Sequence, residues 1–406
     1  MSQQSVVVVG AGTVGLVTAL GLAQNGFDVT VLERETATPT GPRDTAYHWC
    51  ILPTFAKLGV LDAMISQGLA CTELSMKVLR TGELIQLSMD PLSDVAAYPF
   101  NLHLPQNVLV EVMSAALTEC PNVRVERGVA VTAVSQDQTG ATVTALDGTE
   151  SRTYRAGWVI GADGSRSVVR RSLGMSFAGT TWPERLVSTD LRFDFSTLGH
   201  SSASALLDPK LGAIVAQVDR TGLWRYTIAE SRMLDEDGIE ARTLDAISQA
   251  LPSGADPDIV VATPYRAHQR SADAFRRGRV LLVGDAAHIT VPTLAFGMLS
   301  GLYDAKSLIE ALSAVALDGH DEEILDDYSA KRRHNFWDVV SPRSSERMEL
   351  LFRGGDTAQL DRRLVSLRRM AADRSATRRF FEEDRDCETP SLLHPSDDAL
   401  VLHERL

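Results

Sequence analysis

Cysteine is scarce in this chain. Its 406 residues include only Cys50, Cys71, Cys120 and Cys387, with no Cys-x-x-Cys spacing and no histidine pair nearby. That usage fits reduced intracellular thiols better than a disulfide framework or a zinc site, and no metal is expected. A long basic run is also missing, and the net charge is −13. Nucleic acid and anionic membrane are therefore poor candidates for a partner. No internal repeat and no low-complexity tract occurs. The one long apolar run, Val6 to Ala23, has no basic segment before it and is broken by Gly10, Gly12, Gly15 and Gly21, with Gly26 just beyond. It reads as a strand, a turn and a helix, and not as a signal peptide or a membrane span. A cytoplasmic location is expected.

What remains is an ordinary globular composition, 44% hydrophobic and 23% charged. The length exceeds what one compact core usually holds, so two domains are expected. "SVVVV" is β-branched without alternation, as in a central parallel strand buried on both faces. "TVGLVTALGLAQNG" is helical and stops at Asn25-Gly26. "FDVTVLERE" returns as a strand. "LPTFAKLGVLDAMISQG" reads as two short helices and "LPQNVLVEVMSAALTEC" as one longer helix. Valines alternating across Asp137 to Gly140 predict a hairpin. Residues 72 to 99 and 180 to 265 look mostly strand-like. "RVLLVGDAA" is another buried strand, followed by a helix through "GMLSGLYDAKSLIEAL". The last third is helical and charged up to about residue 385, where a tail of uncertain order begins.

Three stretches carry chemistry. Gly10-x-Gly12-x-x-Gly15 follows a strand and opens a helix. Gly10 makes the tight turn, Gly12 admits a pyrophosphate to the backbone, and Gly15 lets helix and strand pack closely. The helix N-terminus offers free N–H groups and a positive dipole end. Glu33 lies at the distance expected of a ribose acceptor, which argues against the 2′-phosphate that Arg34 beside it suggests. The second stretch is "GADGSRSVVR", with Asp163, Gly164, Ser167 and Arg170. The third is "GRVLLVGDAAHITVP", with Gly284, Asp285, Ala286, Ala287, His288 and Pro292.

In this order and at these separations, the three stretches resemble the group A flavoprotein aromatic hydroxylases, the para-hydroxybenzoate hydroxylase-like FAD-dependent monooxygenases. The resemblance spans most of residues 5 to 312. It implies an α/β fold in which a GxGxxG Rossmann-like FAD-binding domain carries an inserted, strand-rich substrate domain and a helical C-terminal region. The expected division is 1–71, 100–180 and 266–330 for FAD, 72–99 and 181–265 for the substrate sheet, and 331–406 for the C-terminal helices and tail. It implies FAD contacts from Gly10, Gly12, Gly15, Glu33, Arg34, Arg43, Gln106, Asp163, Gly284, Asp285, Pro292, Gly297, Met298 and Leu299.

The family loop usually continues Pro-x-Gly-x-x-Gly-x-Asn. Here Leu294 replaces the first glycine and Leu299 the asparagine, while Gly297 survives. A leucine at positive φ is strained, so the loop is expected to take another path, with Leu294 and Phe296 near ring and substrate. Leu299 removes an amide from the pyrimidine edge, while the helix dipole needs no particular side chain. The alternative is that Leu294 and Leu299 only fill core space and leave a weakened flavin site.

The implied activity is NAD(P)H- and O₂-dependent hydroxylation of a small, phenolic aromatic compound through a C4a-hydroperoxyflavin. The nicotinamide docks without a GxGxxG of its own, and a base for the phenol assists. Pro292, His48 and Tyr226 are the candidate catalytic residues. Tyr47, Trp224 and His268 are further candidates for substrate contact. A homodimer is an analogy from the family. The chain is short beside the larger phenol hydroxylases, so the compact hydroxybenzoate or salicylate type, without a thioredoxin-like extension, is expected. The WxWxIP stretch of flavin halogenases is missing. Epoxidation, Baeyer–Villiger oxygenation and a non-catalytic flavin- or ligand-binding role remain alternatives on the same scaffold.

Overall fold

The computed structural model describes residues 4–38, 41–353 and 357–394. At its centre is a six-stranded sheet. Across the sheet the order is Arg276–Arg277, Val280–Leu282, Trp158–Gly161, Ser5–Val9, Asp28–Glu33, Val123–Arg127. All neighbours run parallel except the short first strand. Val7 pairs with Val159 on one side and Thr30 on the other, and Val6 to Val9 are buried. A strand covered on both faces needs no polar alternation, which is why "SVVVV" reads as a continuous run.

The helix Thr13–Gln24 is buried nearly all round, between this sheet and the long helix Phe296–Ala316. A Cβ at Gly21 would meet Cδ1 of Ile309 at 2.4 Å, so the glycine permits the close crossing of the two helices. The helix ends at Asn25 with Gly26 at φ +94°, the left-handed stop that its sequence signals.

The second large sheet has eight strands. In spatial order they are His288–Ile289, Asp258–Ala272, Phe177–Arg192, Leu223–Ser231, Ala213–Gln217, Ala203–Leu207, Glu73–Val78 and Leu84–Ser88. Residues from the "72 to 99" stretch thus join the middle third of the chain edge to edge, through the parallel pair Ala203–Leu207 and Glu73–Val78. The expected hairpin is present, with Gly140 opposite Asp137 in a separate three-stranded sheet. The two short helices are Leu52–Lys57 and Leu61–Gln67, and the longer one is Gln106–Thr118.

The strand-like reading of 180 to 265 needs one correction. Ile239–Ala250 is a helix, with Ile239, Thr243 and Ile247 buried at a spacing of four against the far side of the sheet. Only Ile239 and Ile247 among these are large apolar side chains, and Leu244 lies exposed, so the helical period is weakly marked in the sequence.

The C-terminal helices cover the edge of the large sheet. Leu360, Leu364 and Leu367 of Thr357–Ala372, with Phe381 of Arg374–Glu382, pack on Met76, Val78, Ile85 and Leu87. Each buried leucine contributes roughly 2 kcal/mol. This packing brings residues far along the chain back to the cleft between the two sheets. Residues 395–406 of the expected tail lie outside the described residues. Among the described residues, no helix is long and apolar enough to cross a membrane.

Candidate active site

A cavity of about 490 Å³ lies where the carboxyl ends of the central strands face the large sheet. Its first wall is Gly12, Thr13 and Val14, at the start of a helix whose N-cap glycine supplies no side-chain hydrogen bond. The first-turn N–H groups of such a helix have no partner of their own and carry the positive end of its dipole. Gly10 sits at φ +107°, and a Cβ there would lie 2.5 Å from the carbonyl oxygen of Ala162. A Cβ at Gly12 would meet nothing within 4 Å. The turn is therefore tight toward the protein and open toward the cavity.

Glu33 reaches back beneath this turn. Its carboxylate accepts from the Ala11 N–H at 2.7 Å and the Glu35 N–H at 2.9 Å. Gln106 lines the cavity and donates to Oγ1 of Thr13 at 3.1 Å. Arg43 also lines it, and its carbonyl accepts from Nη1 of Arg225. Arg34 lies off the cavity wall, exposed and paired with Glu35 at 3.0 Å.

Asp163 sits behind the cavity wall, with one carboxylate oxygen committed to the protein and the other, Oδ1, buried without a protein partner. Its Oδ2 accepts from the N–H groups of Val168 and Val169 at 2.6 and 3.1 Å, capping the helix Val168–Ser172. The neighbouring Ala162 and Gly164, and not Asp163 itself, line the cavity. Arg170 of the same motif donates to the carbonyls of Ala286 at 2.7 Å and Ser165 at 2.8 Å, tying the second motif to the third.

The third motif is braced from below by a buried ionic cluster. Oδ2 of Asp304 accepts from the Gly284 N–H at 3.0 Å and lies 2.7 Å from Nε2 of His288, while Oδ1 accepts from Nε of Arg332 at 2.8 Å. All three side chains are at most 1% exposed. Gly284 thus sits under the loop, with its φ at +57°, and Asp285 is turned outward onto the cavity wall. Asp285 is exposed to the cavity, and desolvation by the surrounding walls pushes its carboxyl up to about 6. Thr290 also lines the cavity, and its hydroxyl has no protein partner.

Beyond Thr290 the loop supplies Pro292, Leu294, Gly297 and Met298 to the wall. The expected detour is not taken. Leu294 and Ala295 hold φ +49° and +58°, so the leucine occupies the left-handed backbone that a glycine would occupy. The Leu294 carbonyl lies 2.8 Å from Nε2 of His48, and Nδ1 of His48 lies 2.8 Å from Oδ2 of Asp384. Burial opposes charge on His48, but the Asp384 carboxylate and the Leu294 carbonyl outweigh it and raise the pKa above its usual value. Both ring nitrogens face acceptors, so both donate and the ring is an imidazolium. His48 therefore fastens the loop and has no lone pair with which to act as a base. Leu299 also departs from the expectation: it is 1% exposed, packed in the core, and does not wall the cavity.

Tyr226 is a further correction. The strand Leu223–Ser231 presents Arg225 and Thr227 to the cavity, and period-two alternation turns Trp224 and Tyr226 to the opposite face. There Tyr226 stacks on Phe195 with ring centres 6.0 Å apart. Tyr47 is likewise a core residue, edge-on to Phe55, and His268 pairs with Thr181 at 2.8 Å outside the cavity.

Several wall residues carry no sequence motif. Arg225 is locked to Asp190 by bonds of 2.7 and 3.0 Å. Asp44 lies in the field of Arg225 and His48, but burial dominates and raises its carboxyl pKa. Arg347, Phe380 and Asp384 arrive from the C-terminal helices, and Asn101 and His103 from the short strand Asn101–His103.

The cavity suits FAD on these observations. The uncapped helix start and the open space over Gly12 match a pyrophosphate. Asp285 and the unpartnered Thr290 hydroxyl match a polyol chain.

Comparison with known proteins agrees. A model of the FAD binding domain family matches residues 3–342. The chain is 39% identical over 353 residues to 6-hydroxy-3-succinoylpyridine 3-monooxygenase of Pseudomonas putida (strain DSM 28022 / S16), covering 86% of this chain and 89% of the relative. It is 38% identical over 381 residues to para-nitrophenol 4-monooxygenase of Pseudomonas sp. (strain WBC-3), covering 93% and 94%. The crystal structure of p-nitrophenol 4-monooxygenase from Pseudomonas putida DLL-E4 superposes with a TM-score of 0.90 at 34% identity, over 95% of this chain and 99% of that one. The chain belongs to the FAD binding domain family, and within it to the group A flavoprotein aromatic hydroxylases.

Proposed function

We propose that the chain is an NAD(P)H-dependent hydroxylase of a small aromatic ring that already carries a hydroxyl group. The overall balance is one ring C–H, O₂, NAD(P)H and a proton giving one ring C–OH, water and NAD(P)⁺. FAD, when bound, supplies the hydride acceptor and the oxygen-activating centre. The observation that carries the reading is the single cavity shared by Gly12, Asp285 and the polar face of the large sheet. The names of two relatives, one for a hydroxypyridine and one for a nitrophenol, support the substrate class.

The residues divide along the cavity. We assign the pyrophosphate to the Gly10–Gly15 turn and helix start with Arg43, a ribose to Glu33, which lies beneath that turn and off the cavity wall, and the ribityl chain to Asp285 and Thr290. Pro292, Leu294, Gly297 and Met298 form the wall beside the flavin ring. Ser188, Arg225, Thr227 and Tyr265 of the large sheet face the substrate and exclude water from it. The central sheet is then the cofactor unit and the eight-stranded sheet the substrate unit.

Purified protein should be yellow or take up FAD stoichiometrically, and phenols or hydroxypyridines should accelerate its oxidation of NADH or NADPH with a hydroxylated product. A protein that ignores FAD, or that consumes NAD(P)H at one rate whatever aromatic is added, contradicts the reading.

A further inference from the structure

Resting on that reading, we propose that Nε2 of His103 is the acceptor that recognises the ring hydroxyl, and that the substrate therefore enters as the neutral phenol. His103 is 3% exposed and lines the cavity. Its Nδ1 lies 2.8 Å from the carbonyl oxygen of Gln217. A carbonyl only accepts, so Nδ1 carries the ring proton. Nε2 has no hydrogen-bond partner among the described residues, and in the neutral ring it presents a lone pair.

The surroundings keep the ring neutral. Burial, helped by the positive charges of His48 and Arg225, outweighs the Gln217 bond and brings the pKa down to about 4. The cavity wall has two histidines with opposite roles. His48 has both nitrogens committed as donors, whereas His103 has one donor committed and one acceptor free.

A lone pair facing the cavity attracts an O–H and repels a phenolate oxygen, and covering it with a ligand that lacks a donor is costly. The same logic gives specificity, because a site built to bond a hydroxyl rejects an analogue without one more strongly than an apolar pocket does. So weak a base does not retain the hydroxyl proton. It holds the O–H in one orientation and so fixes which ring carbon faces the cofactor.

The test is a titration of the FAD-loaded enzyme with 4-nitrophenol, near the pH at which the free dye is half ionised. The wild type should bleach the phenolate band in the difference spectrum, because binding withdraws the neutral form. His103→Phe keeps a ring and removes the acceptor. It should abolish the bleaching and raise the KM for a phenol about tenfold, with less effect on kcat. His103→Gln returns an acceptor oxygen and should restore much of the bleaching, which covers a phenylalanine variant that fails to fold. A phenolate band that strengthens on binding to the wild type, or a phenylalanine variant identical to wild type in bleaching and KM, overturns the inference and leaves the hydroxylase reading intact. A wild-type holoenzyme that neither binds 4-nitrophenol nor oxidises NAD(P)H faster with a panel of phenols overturns the reading and the inference together.

Discussion

Nε2 of His48 lies 2.8 Å from the carbonyl oxygen of Leu294, a leucine held at φ +49°. Asp384 holds the other ring nitrogen, so one imidazolium joins the loop after the third motif to the C-terminal end of the fold. Leu294 keeps its strained backbone because a charged donor fixes the carbonyl on one side of it and Ala295, also left-handed, opens the helix on the other.

The strain has a measurable signature. A left-handed leucine costs on the order of 1–3 kcal/mol, which glycine relieves while adding unfolded-state entropy and losing apolar burial. Leu294→Gly should therefore stay within about 1 kcal/mol of wild type. Leu294→Ala keeps the strain and loses the side chain, so it should be the less stable of the two. Chemical denaturation of both variants checks the order, which at an ordinary loop position would be reversed.

The His48 latch should weaken with rising pH. Its pKa in the folded protein lies above the usual 6.5, so its contribution is complete below that value and is lost as pH climbs through the folded-state pKa. The Asp384 and Asp44 carboxylates are the charged groups that hold it up. The stability difference between wild type and His48→Gln, measured by denaturation across this range, should shrink toward alkaline pH. A difference that grows instead would contradict the imidazolium assignment.

Tyr226 offers a contrast between the two faces of one strand. Its hydroxyl is buried without a partner on the side away from the cavity, so Tyr226→Phe should leave kcat/KM within about twofold and stability unchanged or raised. Arg225→Met, on the cavity face, strands the buried Asp190 carboxylate and should cost about 3–5 kcal/mol. Steady-state kinetics and melting curves separate the two outcomes.

These residues also mark what the sequence discloses. The glycine motifs were legible because each couples a buried strand to a backbone requirement, and Gly10 and Gly284 do sit at positive φ. Tyr226 and Trp224 were misplaced because an aromatic in a strand gives no sign of which face its sheet turns to the ligand. Asp384 and Arg347 were invisible because nothing local reveals that the C-terminal helices fold back onto the cleft. Leu294 was recognised as the anomaly, but its resolution was not, since the strained backbone survives through a bond to a histidine more than two hundred residues earlier. His103 resembles any buried histidine until its Nδ1 is seen to be committed to Gln217.

Cofactor binding should be linked to a proton at Asp285. Desolvation inside the cavity pushes its carboxyl up to about 6, and hydroxyl donors from a ribityl chain would favour the carboxylate instead. FAD affinity should therefore rise as pH increases through about 6, with proton release on binding. Asp285→Asn should flatten that dependence. Calorimetric FAD titrations in two buffers of different ionisation enthalpy measure the released proton directly.

The assignment of the cavity to FAD is tested most directly at Gly12. Its backbone, at φ −75° and ψ 176°, accepts any L-residue, and an added Cβ meets no protein atom within 4 Å. Gly12→Ala should therefore fold and melt like wild type without cofactor, because the protein itself has room for the methyl group. If the open space is where the FAD pyrophosphate approaches the backbone, the same methyl should weaken FAD binding at least about tenfold in a fluorescence titration. Equal FAD affinity in the two proteins, with apo stability unchanged, would contradict the account.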